Sequence, residues 1–299
     1  MKNYFQANGS DAAMILLLGS GGNNPLTKGV AKWLVKRGVN ALCVGPENGP
    51  GYHSFPLESV EEAIRFLKEQ GNRKMGILGA SITTIPALAA AARFPELSLT
   101  IAVTPCDLVL QGFSKEKRDG CAEWPVEGES MLTWRGEALP YVPYAYQHPE
   151  YWRVVTEETK GSGNLLSSQR LFRDTEARAE LTEAVRIPVE KIHGRLMLIG
   201  CEDDCLWPTA HYIRRMDERL KACVHESKYD ALIYEHGTHF AFPESMLRQL
   251  LPLFSDFMVS RAFRAAKEYP KECKATREDI DRRMKQAIQE WRDSEHEKI

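Results

Sequence analysis

Ser81 stands in the stretch Lys74-Met75-Gly76-Ile77-Leu78-Gly79-Ala80-Ser81-Ile82-Thr83-Thr84-Ile85-Pro86-Ala87-Leu88-Ala89-Ala90-Ala91-Ala92, where a short apolar run meets an Ala-rich segment across a small-residue turn. A serine hydroxyl is a poor nucleophile at neutral pH. It gains reactivity when an imidazole takes its proton and a carboxylate holds that imidazole in the correct tautomer. Both partners are present further along the chain: Asp203-Asp204 follow the apolar run Arg195–Gly200, and His239 follows Glu235-His236-Gly237-Thr238. The chemistry on offer is attack on an acyl carbonyl.

The turn around Ser81 has the outline of a nucleophile elbow, in which the positions two before and two after the serine are usually glycine because another segment crosses close by. Gly79 meets that requirement and Thr83 does not. An oxyanion needs backbone N–H donors. The residue after the nucleophile, Ile82, supplies one. The Gly19-Ser20-Gly21-Gly22-Asn23-Asn24 run supplies another at Gly21 or Gly22, since a glycine-rich strand-to-helix loop presents bare N–H groups. The same run lacks the Walker pattern and the third glycine of G-x-G-x-x-G, so it is not a nucleotide-phosphate loop.

The elements that must position these groups alternate. Tyr4–Gln6 reads as an edge strand and Ala12–Leu18 as a buried parallel strand. A helix over 26–37 follows, then the strand 39–44, a Gly/Pro-rich loop over 45–56, a helix over 57–70 with apolar residues at 60, 63, 64 and 67, the strand 75–78 leading to Ser81, and the strand 97–104. This β-α-β-α order predicts a mostly parallel, doubly wound α/β sheet. From about 105 to 192 the alternation stops, in a loop-rich aromatic segment that ends with a charged helical stretch over 167–184. It is too long for a connection, so it is expected to be an inserted lid, with Trp124, Trp134 and the later Trp207 as candidates for lining an apolar substrate pocket. Strands at 195–200 and 231–234, separated by a helix over 209–223, complete the sheet.

Residues 1–255 are thus expected to form one domain and 256–299 a helical extension. The extension's Phe257, Val259, Phe263, Met284, Ile288 and Trp291 make an apolar stripe for docking on the domain or for pairing with a second copy in a homo-oligomer. With 27% charged residues and a formal net charge of -2, nothing draws the chain to nucleic acid or an anionic membrane. The apolar run Met14–Leu18 is far short of a membrane span. Seven scattered cysteines suggest reduced thiols and a cytoplasmic protein rather than a disulfide framework. Cys201 and Cys205 are a poor zinc pair. No metal or cofactor is expected.

The order serine, acid, histidine, each at a strand's carboxyl end, is that of the α/β-hydrolases. Of the two acids Asp204 is preferred, because it lies four residues before Pro208. Asp203 and, more remotely, Asp107 are the alternatives. His239 is preferred to His236, which comes directly off its strand. The chain from Leu17 through Phe242 resembles the C-terminal catalytic domain shared by acyl-CoA thioester hydrolases and bile acid-CoA:amino acid N-acyltransferases. Gly19-Ser20-Gly21-Gly22, Ser59-Val60-Glu61-Glu62-Ala63, Gly76 to Ser81, Gly136-Glu137-x-Leu139-Pro140, Asp203-Asp204-x-x-Trp207 and Gly237-Thr238-His239 carry the resemblance. It implies that Ser81, Asp204 and His239 occupy the triad positions and that the substrate is an acyl ester or a coenzyme A thioester. That family's N-terminal β-sandwich is not in this sequence, and Thr83-Thr84 stand where its members usually carry Gly-Gly. A serine nucleophile favours hydrolysis over transfer to an amine or alcohol.

Overall fold

The computed structural model describes residues 3–19, 24–46, 49–251 and 255–294. In chain order its strands are β1 (Tyr4–Phe5), β2 (Ala12–Leu17), β3 (Asn40–Val44), β4 (Gly51–Tyr52), β5 (Phe55–Pro56), β6 (Lys74–Ala80), β7 (Leu97–Val103), β8 (Gln111–Ser114), β9 (Trp124–Ser130), β10 (Leu132–Trp134), β11 (Glu137–Ala138), β12 (Arg195–Cys201) and β13 (Lys228–Tyr234). The helices are α1 (Pro25–Val35), α2 (Glu58–Glu69), α3 (Thr84–Ala91), α4 (Glu150–Thr159), α5 (Gln169–Arg178), α6 (Thr209–Ala222), α7 (Glu244–Leu250), α8 (Ser255–Ala262), α9 (Arg264–Glu268) and α10 (Pro270–Asp293).

Seven strands form the central sheet in the order β1-β3-β2-β6-β7-β12-β13. Only β1 runs antiparallel to its neighbour. Strands covered on both faces carry unbroken apolar runs, and β2 shows why: Ala13, Ile15 and Leu17 enter one core while Ala12, Met14 and Leu16 enter the other. The first core receives α2, α3 and α6, through residues such as Ile64, Leu88 and Ile213. The second receives α1 and α10, through Trp33, Leu34, Met284 and Ile288. This is the doubly wound sheet of the α/β-hydrolase fold. Among the described residues no helix is long and apolar enough to cross a membrane.

Two parts of the sequence reading need correction. The segment read as a loop over 45–56 contains β4 and β5, and the insertion read as loop-rich contains β8 to β11 and helix α4. These strands pair across the chain: β4 with β8 and β9 in one three-stranded sheet, β5 with β10 and β11 in another. Non-local pairing lets segments such as Trp-Pro-Val-Glu-Gly-Glu-Ser become strand without period-two alternation. The charged stretch over 167–184 is α-helical only from Gln169 to Arg178, with a 3-10 turn over Glu183–Val185 at its end. Within the insertion Tyr144 and Tyr151 are buried, and they join the first core together with Phe172.

The apolar stripe of the C-terminal segment lies largely on its own domain. Met284, Ile288 and Trp291 are buried against the sheet, and Val259 and Phe263 against the Cys205–Leu206 region, while Phe257 stays exposed. The last turn of α10 is held by one buried cation. Lys74 Nζ donates to the carbonyls of Trp291 (3.1 Å), Arg292 (2.8 Å) and Ser294, groups that a helix C-terminus leaves without intrahelical donors and that carry its negative dipole end. Lys74→Met is therefore expected to destabilise the fold by about 1–3 kcal/mol. Limited proteolysis should show the C-terminal helix cut first. A denaturation midpoint unmoved from wild type would contradict this role.

Candidate active site

Ser81 sits where β6 ends. Ala80 is still extended, Ser81 itself turns to φ +58°, and a 3-10 turn over Ser81–Thr83 leads into α3. A left-handed backbone is rare and unfavourable for a residue with a Cβ. The turn places Ser81 at the sheet's carboxyl edge, just before the start of α3, where unsatisfied N–H groups and the positive dipole end lie. Ile82 is the middle residue of that turn. Gly79 is required: a Cβ there would stand 2.7 Å from the Thr83 carbonyl oxygen and 2.8 Å from Ala87 Cβ.

Thr83 fills the place where the motif wants glycine, and the structure shows how. Its hydroxyl accepts the Ala80 N–H at 3.0 Å and donates to the carbonyl of Leu17 on the neighbouring strand, with the Ala80 carbonyl at 2.8 Å as the other acceptor. It is buried. Thr84 in turn donates to the Ser81 carbonyl at 2.6 Å and accepts from the Cys106 N–H at 3.3 Å. The Thr-Thr pair thus cross-braces the elbow to β2 and to the segment after β7. Thr83→Gly, which restores the usual motif, is expected to cost about 1–3 kcal/mol by stranding the buried Ala80 N–H and adding backbone freedom. A thermal melt in which Thr83→Gly proves as stable as wild type would refute the brace.

The three residues picked from the sequence meet. Ser81 Oγ donates to His239 Nε2 at 2.6 Å, and His239 Nδ1 lies 2.9 and 2.8 Å from the two oxygens of Asp204. His239 and Asp204 are both buried. Asp204 is held in turn: one oxygen accepts the Leu206 N–H at 2.9 Å, and the other accepts the hydroxyl of Thr209, the first residue of α6. Gly200 leaves room for that threonine, since a Cβ there would reach to 2.2 Å from Thr209 Cγ2.

The rejected alternatives have other partners. Asp203 accepts from His236 Nδ1 at 2.9 Å, and the His236 ring stacks on Tyr269 with centroids 3.9 Å apart. The hydrogen bond to Asp203 raises the His236 pKa above its usual range. Asp107 is engaged by Arg215 and Arg186.

Of the three tryptophans, Trp207 is the one whose ring contacts include one of the three candidate residues, His239. It is buried, donates to the Thr104 carbonyl at 3.2 Å, and meets His239 edge-on at 6.0 Å. A chain of edge-to-face rings continues from Trp207 through Phe172 to Tyr144 and Tyr151, so the insertion packs on the indole that meets the imidazole. Trp124 pairs with His148 and Arg118, and Trp134 with Phe94 and Arg93, away from these contacts. Gly21 and Gly22 lie outside the described residues. The stem of their loop is tied down by groups the sequence reading passed over. Tyr52 donates to the Gly19 carbonyl at 2.9 Å, and the Asn24 and Thr27 side chains both donate to the Leu18 carbonyl at 2.9 Å. No sequence signal marks Tyr52. Thr209 was detectable only as a threonine opening a helix directly after Pro208. Among the described residues no group of three or more His, Cys, Asp or Glu is placed to hold a metal ion.

The strand order, the elbow and the position of the candidate residues at the sheet's carboxyl edge define an α/β-hydrolase. Residues 55–245 match the family model described as BAAT / Acyl-CoA thioester hydrolase C terminal, and the chain belongs to that family. No match was found among curated proteins. Similar solved structures include MGS-M1, an α/β hydrolase enzyme from a Medee basin deep-sea metagenome library (11% identity, 95% of this chain and 86% of that one, TM-score 0.49). An α/β hydrolase fold protein from Nakamurella multipartita is also similar (16%, 88% and 94%, 0.44), as is the Pyrococcus furiosus esterase Pf2001 (17%, 87% and 84%, 0.45). At such likeness the fold rests on this chain's own topology.

Proposed function

We propose that the protein is a serine hydrolase that cleaves an acyl thioester or ester through an acyl-Ser81 intermediate. The observation that carries this reading is the unbroken hydrogen-bonded run from Ser81 Oγ through the His239 ring to Asp204. His239 Nε2 takes the hydroxyl proton as Oγ attacks the acyl carbon. Asp204 keeps the other ring nitrogen protonated and stabilises the imidazolium that forms. The N–H of Ile82 and one from Gly21 or Gly22 hold the oxyanion. Collapse of the tetrahedral adduct breaks the carbon–sulfur or carbon–oxygen bond, and the imidazolium protonates the departing thiolate or alkoxide. Water, deprotonated by the same imidazole, then releases the acid and frees Ser81. Membership in a family described by acyl-CoA thioester hydrolysis favours the thioester. Serine favours water over an amine as acceptor, because an acyl ester is a poorer donor to amines than a thioester.

The test is a hydrolysis panel of p-nitrophenyl esters and acyl-CoA thioesters of matched chain length, alongside labelling by a fluorophosphonate probe. Hydrolysis of at least one series, with labelling lost in Ser81→Ala, is the expected result. A wild-type protein that takes no label and turns over neither series would point instead to a binding protein built on the same fold. Turnover that depends on an added amine or alcohol would make it an acyltransferase.

A further inference from the structure

The loop that carries His239 is held by a second acid–histidine pair. Asp203, one residue before Asp204, accepts from His236 Nδ1 at 2.9 Å. Adjacent carboxylates on the turn after β12 therefore each bond a histidine of the one loop after β13. His239 is buried, whereas His236, three residues earlier, is half-buried. Among the described residues no hydroxyl or thiol bonds His236 Nε2, which has the Glu235 carboxylate at 3.9 Å, so this pair activates no nucleophile.

What the pair touches instead is the C-terminal extension. The His236 ring stacks on Tyr269, with centroids 3.9 Å apart and planes 13° apart, where α9 gives way to α10. The His236 carbonyl accepts the Thr276 hydroxyl of α10 at 2.6 Å. Gly237 then passes too close to β12 for a side chain, since a Cβ there would stand 2.2 Å from Cys201 Sγ. On the other side of His239, Phe240 meets Phe263, between α8 and α9, edge-on at 5.1 Å. The extension thus grips the loop on both sides of His239. A hold by Asp204 alone would leave the imidazole free to swing about that contact, and misplacing a reacting group by about 1 Å can cost on the order of 10²-fold in rate.

We propose that His236 is a positioning residue for His239, and that the segment from Tyr269 to Thr276 completes the candidate site through it. The assignment rests on the hydrolase reading above and deepens it. A charged imidazole suits the place. The charged groups acting on the ring are acids: Asp203 from the turn after β12, Glu235 from its own loop and Glu272 from α10. The Tyr269 face attracts a cation as well. Further along α10, Cys273 is a buried thiol and Arg277 is committed to Glu244 and Asp256. The hydrogen bond to Asp203 raises the His236 pKa, and the charges of Asp203, Glu235 and Glu272 add to it. The charged clip is therefore complete below the free histidine value of about 6.5 and loses its charge as pH rises through the raised one.

The test compares the wild-type chain with His236→Ala, His236→Asn and Tyr269→Leu. In His236→Ala, kcat for a p-nitrophenyl ester is expected to fall about 10- to 100-fold with KM within about twofold. Tyr269→Leu should lower kcat about 3- to 10-fold, and it reads the same grip from the other side if His236→Ala does not fold. Asparagine keeps a neutral donor near the place of Nδ1 and cannot titrate. His236→Asn should therefore recover most of the loss and flatten the decline in kcat on the alkaline side. The imidazole ¹⁵N resonances of His239, followed across pH, report its placement without turnover, and they should move in His236→Ala and Tyr269→Leu. If no ester is hydrolysed, the hydrolase reading fails while these resonances still decide the positioning. His239 resonances that superimpose on wild type in both variants would overturn the assignment. So would a folded His236→Ala protein with kcat within about twofold of wild type, or an alkaline decline in His236→Asn of the same size and midpoint as in wild type.

Discussion

Ser81→Ala is expected to lower kcat for acyl hydrolysis by about 10⁴- to 10⁶-fold, because the remaining groups can bind and polarise an acyl carbonyl but cannot form the acyl-enzyme. His239→Ala should fall in the same range, and the double variant should be no worse than either single one, since the two act as a unit. The backbone adds a second readout. Ser81 is held at φ +58°, a conformation glycine adopts freely and a Cβ-bearing residue resists. Ser81→Gly should thus be as inactive as Ser81→Ala yet more stable than wild type, by about 1 kcal/mol. Paired urea titrations and single-turnover assays separate the two effects. If Ser81→Ala kept more than a hundredth of wild-type turnover, or Ser81→Gly were destabilised, the strained-nucleophile account would be wrong.

Arg215→Met is expected to destabilise the protein by about 3–5 kcal/mol, the usual cost of breaking one side of a buried ion pair. Arg215 on α6 engages both oxygens of Asp107, which is nearly sealed from solvent, and donates to Glu176 on α5 of the insertion at 2.8 Å. Burial works against the charge of Arg215. Its hydrogen bonds to Asp107 and to Glu176 outweigh that and hold the guanidinium above its usual pKa. Burial also lifts the Asp107 carboxyl, with Arg215 pulling the other way. Arg215 and Asp107 thus form a close ion pair with the carboxyl group buried. Removing Arg215 leaves Asp107 with Arg186, 3.8 Å away, as its remaining cation. The variant should also loosen the insertion, because α5 carries the Phe172 that packs on Trp207 beside His239. Adding Asp107→Asn should recover a large part of the loss. Denaturant midpoints of the three proteins check this, and a loss under about 1 kcal/mol for Arg215→Met would show that the pair is not the fastening it is taken to be.

The candidate site was largely legible because its signals are local. The strand-to-helix turn at Ser81, the requirement for Gly79, the acid four residues before Pro208 and the histidine after Gly237-Thr238 each sit at the end of a strand that hydrophobic runs already marked. A parallel α/β sheet brings the carboxyl ends of its strands to one edge. Chain order and sheet class therefore sufficed to predict that residues 81, 204 and 239 share an edge, and the structure sets their side chains within hydrogen-bonding distance.

The sequence by itself determined the alternation of strands and helices and the doubly wound class, which follow from periodicity, and it narrowed the candidate site to a serine, an acid and a histidine at the ends of strands. Tertiary structure alone decided what Thr83 does, because its hydroxyl bonds a carbonyl 66 residues away on β2. The same holds for Lys74 beneath the end of α10, Tyr52 on Gly19, and the pairing of β4 and β5 with strands of the insertion. Such contacts join positions whose local patterns carry no trace of each other. Their free energy comes from satisfying buried polar groups, and which groups are buried together is settled only when the chain has closed around them.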